Sequence, residues 1–532
     1  MTRFPARLSG VAVITIATAL AVTGCTAGGS SSNPSNGSGN KTLVVDDTFD
    51  LKTSDPARSF ELTGSIVDKA LYQTALTFEG SDVTKPVPQL TTYAMSSDNK
   101  TITLTLNGKH YFSNGDPVTI DDIVWSYKRV QGIAGNPSFL LGDLSTGKPD
   151  TITKTSATTM TISGTAANPA LPYILPNPSL GVLDSKLLKQ HGGTTGKDDK
   201  AEAYLNKTSA GSGPYELSGY DVKTRVVFTS NPKYVGTKPA YGRVVLQNVT
   251  GSTQKINVQG GQAQIALNLN SDQVKGLASG STKVVKSTSA DLGYMWLNQN
   301  ASASKGVTNN ANFIKAVRRG IDYPAILEIA GTGSTQPGGM VPSQFLGSLQ
   351  SDPANSYDLT AAKAALKSSG YAGQTVTLSY PSDQALDGIP FSTLAQRVQS
   401  QLNAIGIKTS LSGTPFTTFI DAYRAGKLQA GLMYWGPDFP DPSDYLTFSP
   451  GENLGLRAGW SKSMSPEVTK AKEAAIAAQG DARAAAYQAW QKAANADGAF
   501  VPLVQAAKYA VTNGVSGVTQ NAIWTVDLAT IK

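Results

Sequence analysis

LAQRVQSQLNAIGIKTSL, residues 394–411, carries two periodicities back to back. Leu394, Val398, Leu402 and Ile405 recur at helical spacing on one face, and Gly406 stands where a helix C-terminus favours glycine. Ile407-Lys408-Thr409-Ser410-Leu411 then alternates apolar and polar, as a half-buried strand does. A helix handing over directly to a strand is the unit of α/β packing, and the flanking sequence repeats it. Phe313, Val317 and Ile321 mark an earlier helix. Asp358 is placed to cap another, with Leu359, Ala362 and Leu366 inward and Gly370 at its end. The alanine-rich stretch 466–496 reads as two helices, one opening at Ser465-Pro466 and one capped by Asp481, and 500–504 returns to strand.

Towards the N-terminus the pattern shifts to strands. The apolar stretch 292–298, just after Asp291, suits an interdomain strand, and 226–228 and 244–246 are strand candidates behind the turn cluster 211–215. The stretch 101–106 points Ile102, Leu104 and Leu106 one way and three threonines the other, ended by Asn107-Gly108. Thr119 can cap a helix whose first turn holds Asp121 and Asp122 and whose stripe is Ile120, Ile123, Val124, Tyr127 and Val130. A helix with Ile66, Ala70, Leu71 and Ala75 on one face is predicted over 64–76, and a buried strand over 42–45. The Pro-, Gly- and Thr-rich region 137–208, with short strand-like pieces such as 158–162, reads as a lesser lobe.

Cys25 is the only cysteine of the 532 residues. Arg3 and Arg7 give a basic start, 11–22 is an apolar run, and the small residues a signal peptidase requires precede Cys25. The run is too short for a permanent membrane helix, which needs about 20 residues. Val22-Thr23-Gly24-Cys25 resembles the bacterial lipobox, whose cysteine becomes the lipidated first residue; an ordinary secretory signal with an incidental cysteine is the alternative. Residues 26–40, almost all Gly, Ser, Asn or Pro, cannot bury enough apolar surface to fold and form a tether of about 20 Å. Cleavage removes two arginines and takes the formal net charge from +7 to +5. With no run of five like charges, no nucleic-acid groove is indicated.

The usual catalytic signatures are missing. His110 and His191 are the only histidines, no Gly-x-Ser-x-Gly elbow occurs, and Gly196-Lys197 lacks the rest of a phosphate loop. No zinc-spaced set or EF-hand loop is present. The expectation is no catalytic residue, no metal and no cofactor. One stretch stands apart: Met433-Tyr434-Trp435-Gly436-Pro437-Asp438-Phe439-Pro440-Asp441-Pro442. Three prolines restrict its backbone, so Asp438 and Asp441 can be held in place with little further entropy lost on binding. A carboxylate beside aromatic surface suits an ammonium group. The competing reading is a stiffened connector with turn-forming aspartates.

Several segments resemble the family 5 extracellular solute-binding proteins, the dipeptide- and oligopeptide-binding receptors of ABC importers. Residues 112–123, FSNGDPVTIDDI, are similar to the family's Gly-x-Pro-x-Thr turn entering an acidic helix. Gly211-Ser212-Gly213-Pro214-Tyr215 resembles its Gly-Thr-Gly-Pro-Tyr turn, and Asn231-Pro232-Lys233-Tyr234 its Asn-Pro-x-Tyr/Trp. Residues 260–266 resemble its Gly-x-x-Asp element, with Gln264 departing from the usual aspartate. Residues 316–322 and 358–371 match its later helices, and the Asp438 loop its Trp-x-x-Asp-x-x-x-Pro stretch.

The resemblance implies an α/β, two-lobed periplasmic-binding-protein-like clamshell of type II with an extra subdomain and mixed β-sheets flanked by helices. Its expected divisions are a lipoprotein signal at 1–25, a linker at 26–40, lobe I from 41–56, 210–290 and 505–532, an extra subdomain at 57–209 and lobe II at 291–504. It implies a non-enzymatic, monomeric receptor on the extracellular face of the membrane, anchored through Cys25. Such a receptor passes peptides to permease subunits driven by cytoplasmic ATPases. Asp438 then pairs with the peptide α-ammonium, and Trp435 and Phe439 line the cleft, core packing being the alternative for Trp435. Rival readings are the same apparatus for an oligosaccharide, metal chelate or siderophore, and an exported cell-wall enzyme.

Overall fold

Ten strands hydrogen-bond into one mixed sheet in the computed structural model, which describes residues 41–142 and 148–532. Cys25, the expected signal at 1–25 and the expected tether at 26–40 lie outside the described residues. In chain order the strands are β1 (Thr42–Asp47), β2 (Tyr215–Asp221), β3 (Arg225–Ser230), β4 (Arg243–Asn248), β5 (Ile265–Ala266), β6 (Thr282–Leu297), β7 (Val376–Pro381), β8 (Thr409–Thr414), β9 (Ala430–Trp435) and β10 (Phe500–Asn513). Across the sheet the order is β8-β7-β9-β6-β10-β5-β1-β4-β3-β2. β1 runs parallel to β4 and β5, and β7 parallel to β8 and β9; β6 is antiparallel to both β9 and β10.

The helices predicted from 3.6-residue spacing cover the β7–β8–β9 side. Phe391–Ile405 buries Leu394, Val398, Leu402 and Ile405, and Gly406 closes it at φ 102°, a left-handed position that favours glycine. These residues share a core with Val317, Leu366, Leu378 and Leu432. The other face of this half is aromatic: Trp296, Tyr423, Phe448, Trp460 and Trp490 are buried together. Around β1–β4 a third core joins Leu43, Val45, Val226, Phe228 and Leu246 to Ile66 and Val67 of the helix Leu62–Leu71.

Within 57–209, four short antiparallel strands form a separate sheet carrying Ile102, Leu104 and Ile162. They pack on the helix Ile120–Ile133, whose Thr119 and Asp122 make a reciprocal capping box. Buried Arg129 of this helix grips two carboxylates at once. Its Nη1 and Nη2 donate to Asp55 at 2.7 and 2.6 Å, and its Nε and Nη2 to Asp199 at 2.8 Å each. Three remote segments are thereby tied together.

Several boundaries depart from the sequence reading. The helix expected over 64–76 stops at Leu71, because the next residues find partners elsewhere: the Gly213 amide donates to the Leu71 carbonyl and the Val182 amide to that of Gln73. Asp481 does not cap its helix. Its backbone is already helical, and the turn begins earlier, with Ala482 and Arg483 donating to Gln479 and Gly480. The strand expected at 407–411 starts at Thr409, since the Ile407 amide returns to Leu402 at the helix end. The strands expected over 292–298 and 500–504 are far longer, as β6 and β10 pair with each other over most of their length.

Candidate functional site

β9 lies between β7 and β6 and delivers the chain at Trp435 into the proline loop. Several contacts then clamp the loop. Phe439, 1 % exposed, enters the core of the 57–209 region beside Leu171 and Leu180. Asp441 takes Arg483 Nη2 at 2.8 Å in a buried ion pair and accepts the Ser443 amide, starting the short 3₁₀ helix Pro442–Phe448. Asp444 accepts the amide of Asp438 at 2.9 Å, and Asn177 Nδ2 donates to the Asp438 carbonyl at 3.3 Å.

With its backbone held on both sides, Asp438 has a carboxylate that takes no hydrogen bond or ion pair among the described residues. It borders two cavities, one of about 600 Å³ and one of about 430 Å³. Burial pushes its carboxyl up to about 6. Asp444 beside it is raised well above the carboxylate range by burial first and the Asp438 charge second. An ammonium arriving at Asp438 would relieve the cost of that buried charge.

The larger cavity lies where β6 and β10 cross the middle of the sheet. Residues 289–291 form a bulge in β6, the register slipping between Thr288 and Leu292. Ser289, Ala290 and Asp291 consequently all line the cavity, whereas a regular strand would turn every second one away. Asp291 Oδ1 occupies the space over Gly436, where a Cβ would lie 2.4 Å from it. Lys508 of β10 contributes the sole ammonium among the cavity's described lining residues. Burial disfavours its charge, but the carboxylates of Asp387, Asp291, Asp47 and Asp50 outweigh that and raise its pKa.

The three residues singled out in the sequence therefore take different places. Asp438 faces both cavities. Trp435 lines the smaller one only, edge-on to Phe448 at 6.2 Å, with its Nε1 buried. Phe439 also borders the smaller cavity while anchoring the loop in a core. Both histidines are engaged structurally: His110 bonds Gln73 and the Asn107 carbonyl at 3.1 Å each, and His191 stacks on Tyr204 at 3.7 Å.

Sequence reasoning passed over Asp291 and Lys508. Each had a signal: a polar run before an apolar strand for the first, and a lysine inside the run FVPLVQAAKYAV, residues 500–511, apolar apart from it and Gln505, for the second. Among the described residues, no three His, Cys, Asp or Glu side chains are grouped to hold a metal ion, and no helix is long and apolar enough to cross a membrane.

Comparison with known proteins gives the same architecture. The chain is 27 % identical over 478 residues to "Probable D,D-dipeptide-binding periplasmic protein DdpA" of Escherichia coli K12, covering 87 % of this chain and 88 % of that protein. It is 23 % identical to the dipeptide-binding protein DppE of Bacillus subtilis, covering 81 % of each. The substrate-binding protein CtaP of Listeria monocytogenes superposes with a TM-score of 0.79 at 17 % identity, over 92 % of this chain and 99 % of CtaP. DppA of Helicobacter pylori in complex with the peptide STSA superposes with a TM-score of 0.71 at 19 % identity, over 92 % of this chain and 98 % of DppA. Residues 85–453, more than half of the chain, match the model of the bacterial extracellular solute-binding proteins, family 5, and the chain belongs to that family.

Proposed function

We propose that this protein is the substrate-binding component of an ABC importer, capturing di- or oligopeptides outside the cell and handing them to permease subunits driven by cytoplasmic ATPases. The observation that carries the reading is the unpartnered Asp438 carboxylate, held by a clamped loop at a cavity of about 600 Å³. A carboxylate so placed is suited to a peptide α-ammonium. Relatives named as dipeptide-binding proteins agree with it.

In this reading residues 41–56, 210–290 and 505–532 form lobe I, 57–209 its extra subdomain and 291–504 lobe II. The lobes close over the ligand about β6 and β10. Trp435 flanks the ammonium site from the smaller cavity, and Phe439 fixes the loop. Cys25 carries a lipid that tethers the monomeric protein to the membrane. No step of its action is catalytic.

Asp438→Asn tests the assignment. Leaving an ammonium in the cleft without its counter-charge costs about 2–5 kcal/mol, so affinity for a free-amine peptide falls at least about tenfold. An N-acetylated peptide binds the wild-type protein poorly and loses little more on mutation, because both changes remove one interaction. Calorimetry showing equal affinity of wild type and variant for a free-amine peptide would take Asp438 out of the site. Tight binding of a sugar or chelate with no peptide binding would replace the peptide reading.

A further inference from the structure

Charge in the larger cavity is lopsided. Four carboxylates line it, Asp50, Glu61, Asp291 and Asp438, against the one ammonium of Lys508. Two of the four are engaged locally: Asp50 accepts the amides of Leu62 and Thr63 at 3.1 and 2.9 Å, and Glu61 pairs with Lys52 at 2.5 Å. Asp438 and Asp291 are not. Among the described residues no hydrogen bond or ion pair reaches either carboxylate.

Lys508 does not cancel the surplus. It forms no ion pair among the described residues, and the carboxylates of Asp387, Asp291, Asp47 and Asp50 all act on it. Asp387 Oδ2 is itself buried, and the carboxyl is pushed up to about 6 by burial and by the Asp291 charge. A ligand carboxylate brought to this end would meet net negative charge, whereas a cation would balance it. The absence of a three-ligand metal cluster among the described residues favours an organic cation over a metal ion.

The bulge and Gly436 set the position of this second charge. The bulge turns Asp291 into the cavity, and the missing side chain of Gly436 lets its carboxylate settle against the loop that carries Asp438. Gly436 and Asp438 are two residues apart, so their Cα atoms lie at most about 7 Å from each other. The two free carboxylates therefore fall within reach of the first one or two residues of a single ligand.

We propose that the cleft selects peptides with a basic side chain on the first or second residue, Asp438 taking the α-ammonium and Asp291 the side-chain cation. The proposal rests on the peptide reading above and narrows its ligand class.

The test is titration calorimetry of the purified full chain with Lys-Ala and Ala-Lys against Nle-Ala and Ala-Nle, in which norleucine keeps the apolar stem and lacks the ammonium. At least one lysine peptide is expected to bind about tenfold or more tighter than its norleucine counterpart. Asp291→Asn should shrink that ratio to within about threefold while leaving the norleucine peptides nearly unchanged, and Asp291→Glu should restore it. Asp438→Asn should weaken all four. Lysine peptides no tighter than norleucine peptides in the wild-type protein would overturn the proposal, as would a preference that survives Asp291→Asn. If none of the four binds while a sugar or chelate does, the peptide reading fails and this one with it.

Discussion

Affinity for a free-amine peptide is expected to fall as the pH drops from about 7 to about 5. In the empty protein burial pushes the Asp438 carboxyl up to about 6. Roughly nine-tenths of the molecules therefore carry the carboxylate at about pH 7, and roughly one-tenth at about pH 5. Only the ionised form pairs with an ammonium, so the bound state holds fewer protons than the empty one and affinity rises with pH until Asp438 is ionised. Kd is then about tenfold higher at pH 5 than at pH 7, flattens above that, and rises again as the ligand's own amine titrates near about 8. Asp444 cannot substitute, since burial and the neighbouring Asp438 charge hold its carboxyl well above the usual range. Calorimetry in buffers of different ionisation enthalpy reads the proton release directly. Equal Kd at the two pH values, or the same slope retained in Asp438→Asn, would refute the reasoning.

Arg129→Met leaves the carboxylates of Asp55 and Asp199 without the buried guanidinium that both accept from, a change expected to cost about 3–5 kcal/mol. Urea unfolding checks it, and a loss below about 1 kcal/mol would show that Arg58, 3.2 Å from Asp55 and 3.3 Å from Asp199, suffices alone. Cys25→Ala is expected to abolish lipid attachment; a variant that still sediments wholly with membranes after a high-salt wash, cleaved at the same residue, would sink the anchor assignment.

Much of the fold was legible because its signals are local. The helix Phe391–Ile405 announced itself by spacing and by Gly406, and Thr119 by its capping chemistry. Boundaries failed in two ways: at Leu71 a distant segment decided the end, the amide of Gly213 taking up the last carbonyl, whereas at Ile407 and Asp481 a local turn shifted it by a few residues. The candidate site divides the same way. The proline loop stood out from its neighbours in composition, which brought Asp438 into view. Asp291 and Lys508 became visible only once β6 and β10 lay side by side, because their meaning depends on a bulge and on four carboxylates drawn from three separate stretches of chain. Phe439 shows the limit of composition: an aromatic beside a candidate carboxylate can serve as the loop's anchor.

The place of β10 in the sheet bears on how the molecule is made. Its fourteen residues, among the last of the chain, fill the gap between β6 and β5. Until they arrive, the strands already synthesised can form only two separate ribbons, β8-β7-β9-β6 and β5-β1-β4-β3-β2. Each ribbon ends in an open edge with no neighbour. Joining them requires contacts between segments hundreds of residues apart, which are slow to form. A ribosome-bound or partly emerged chain therefore cannot reach its final form early. Export in an unfolded state, which the proposed role outside the cell calls for, is compatible with that delay.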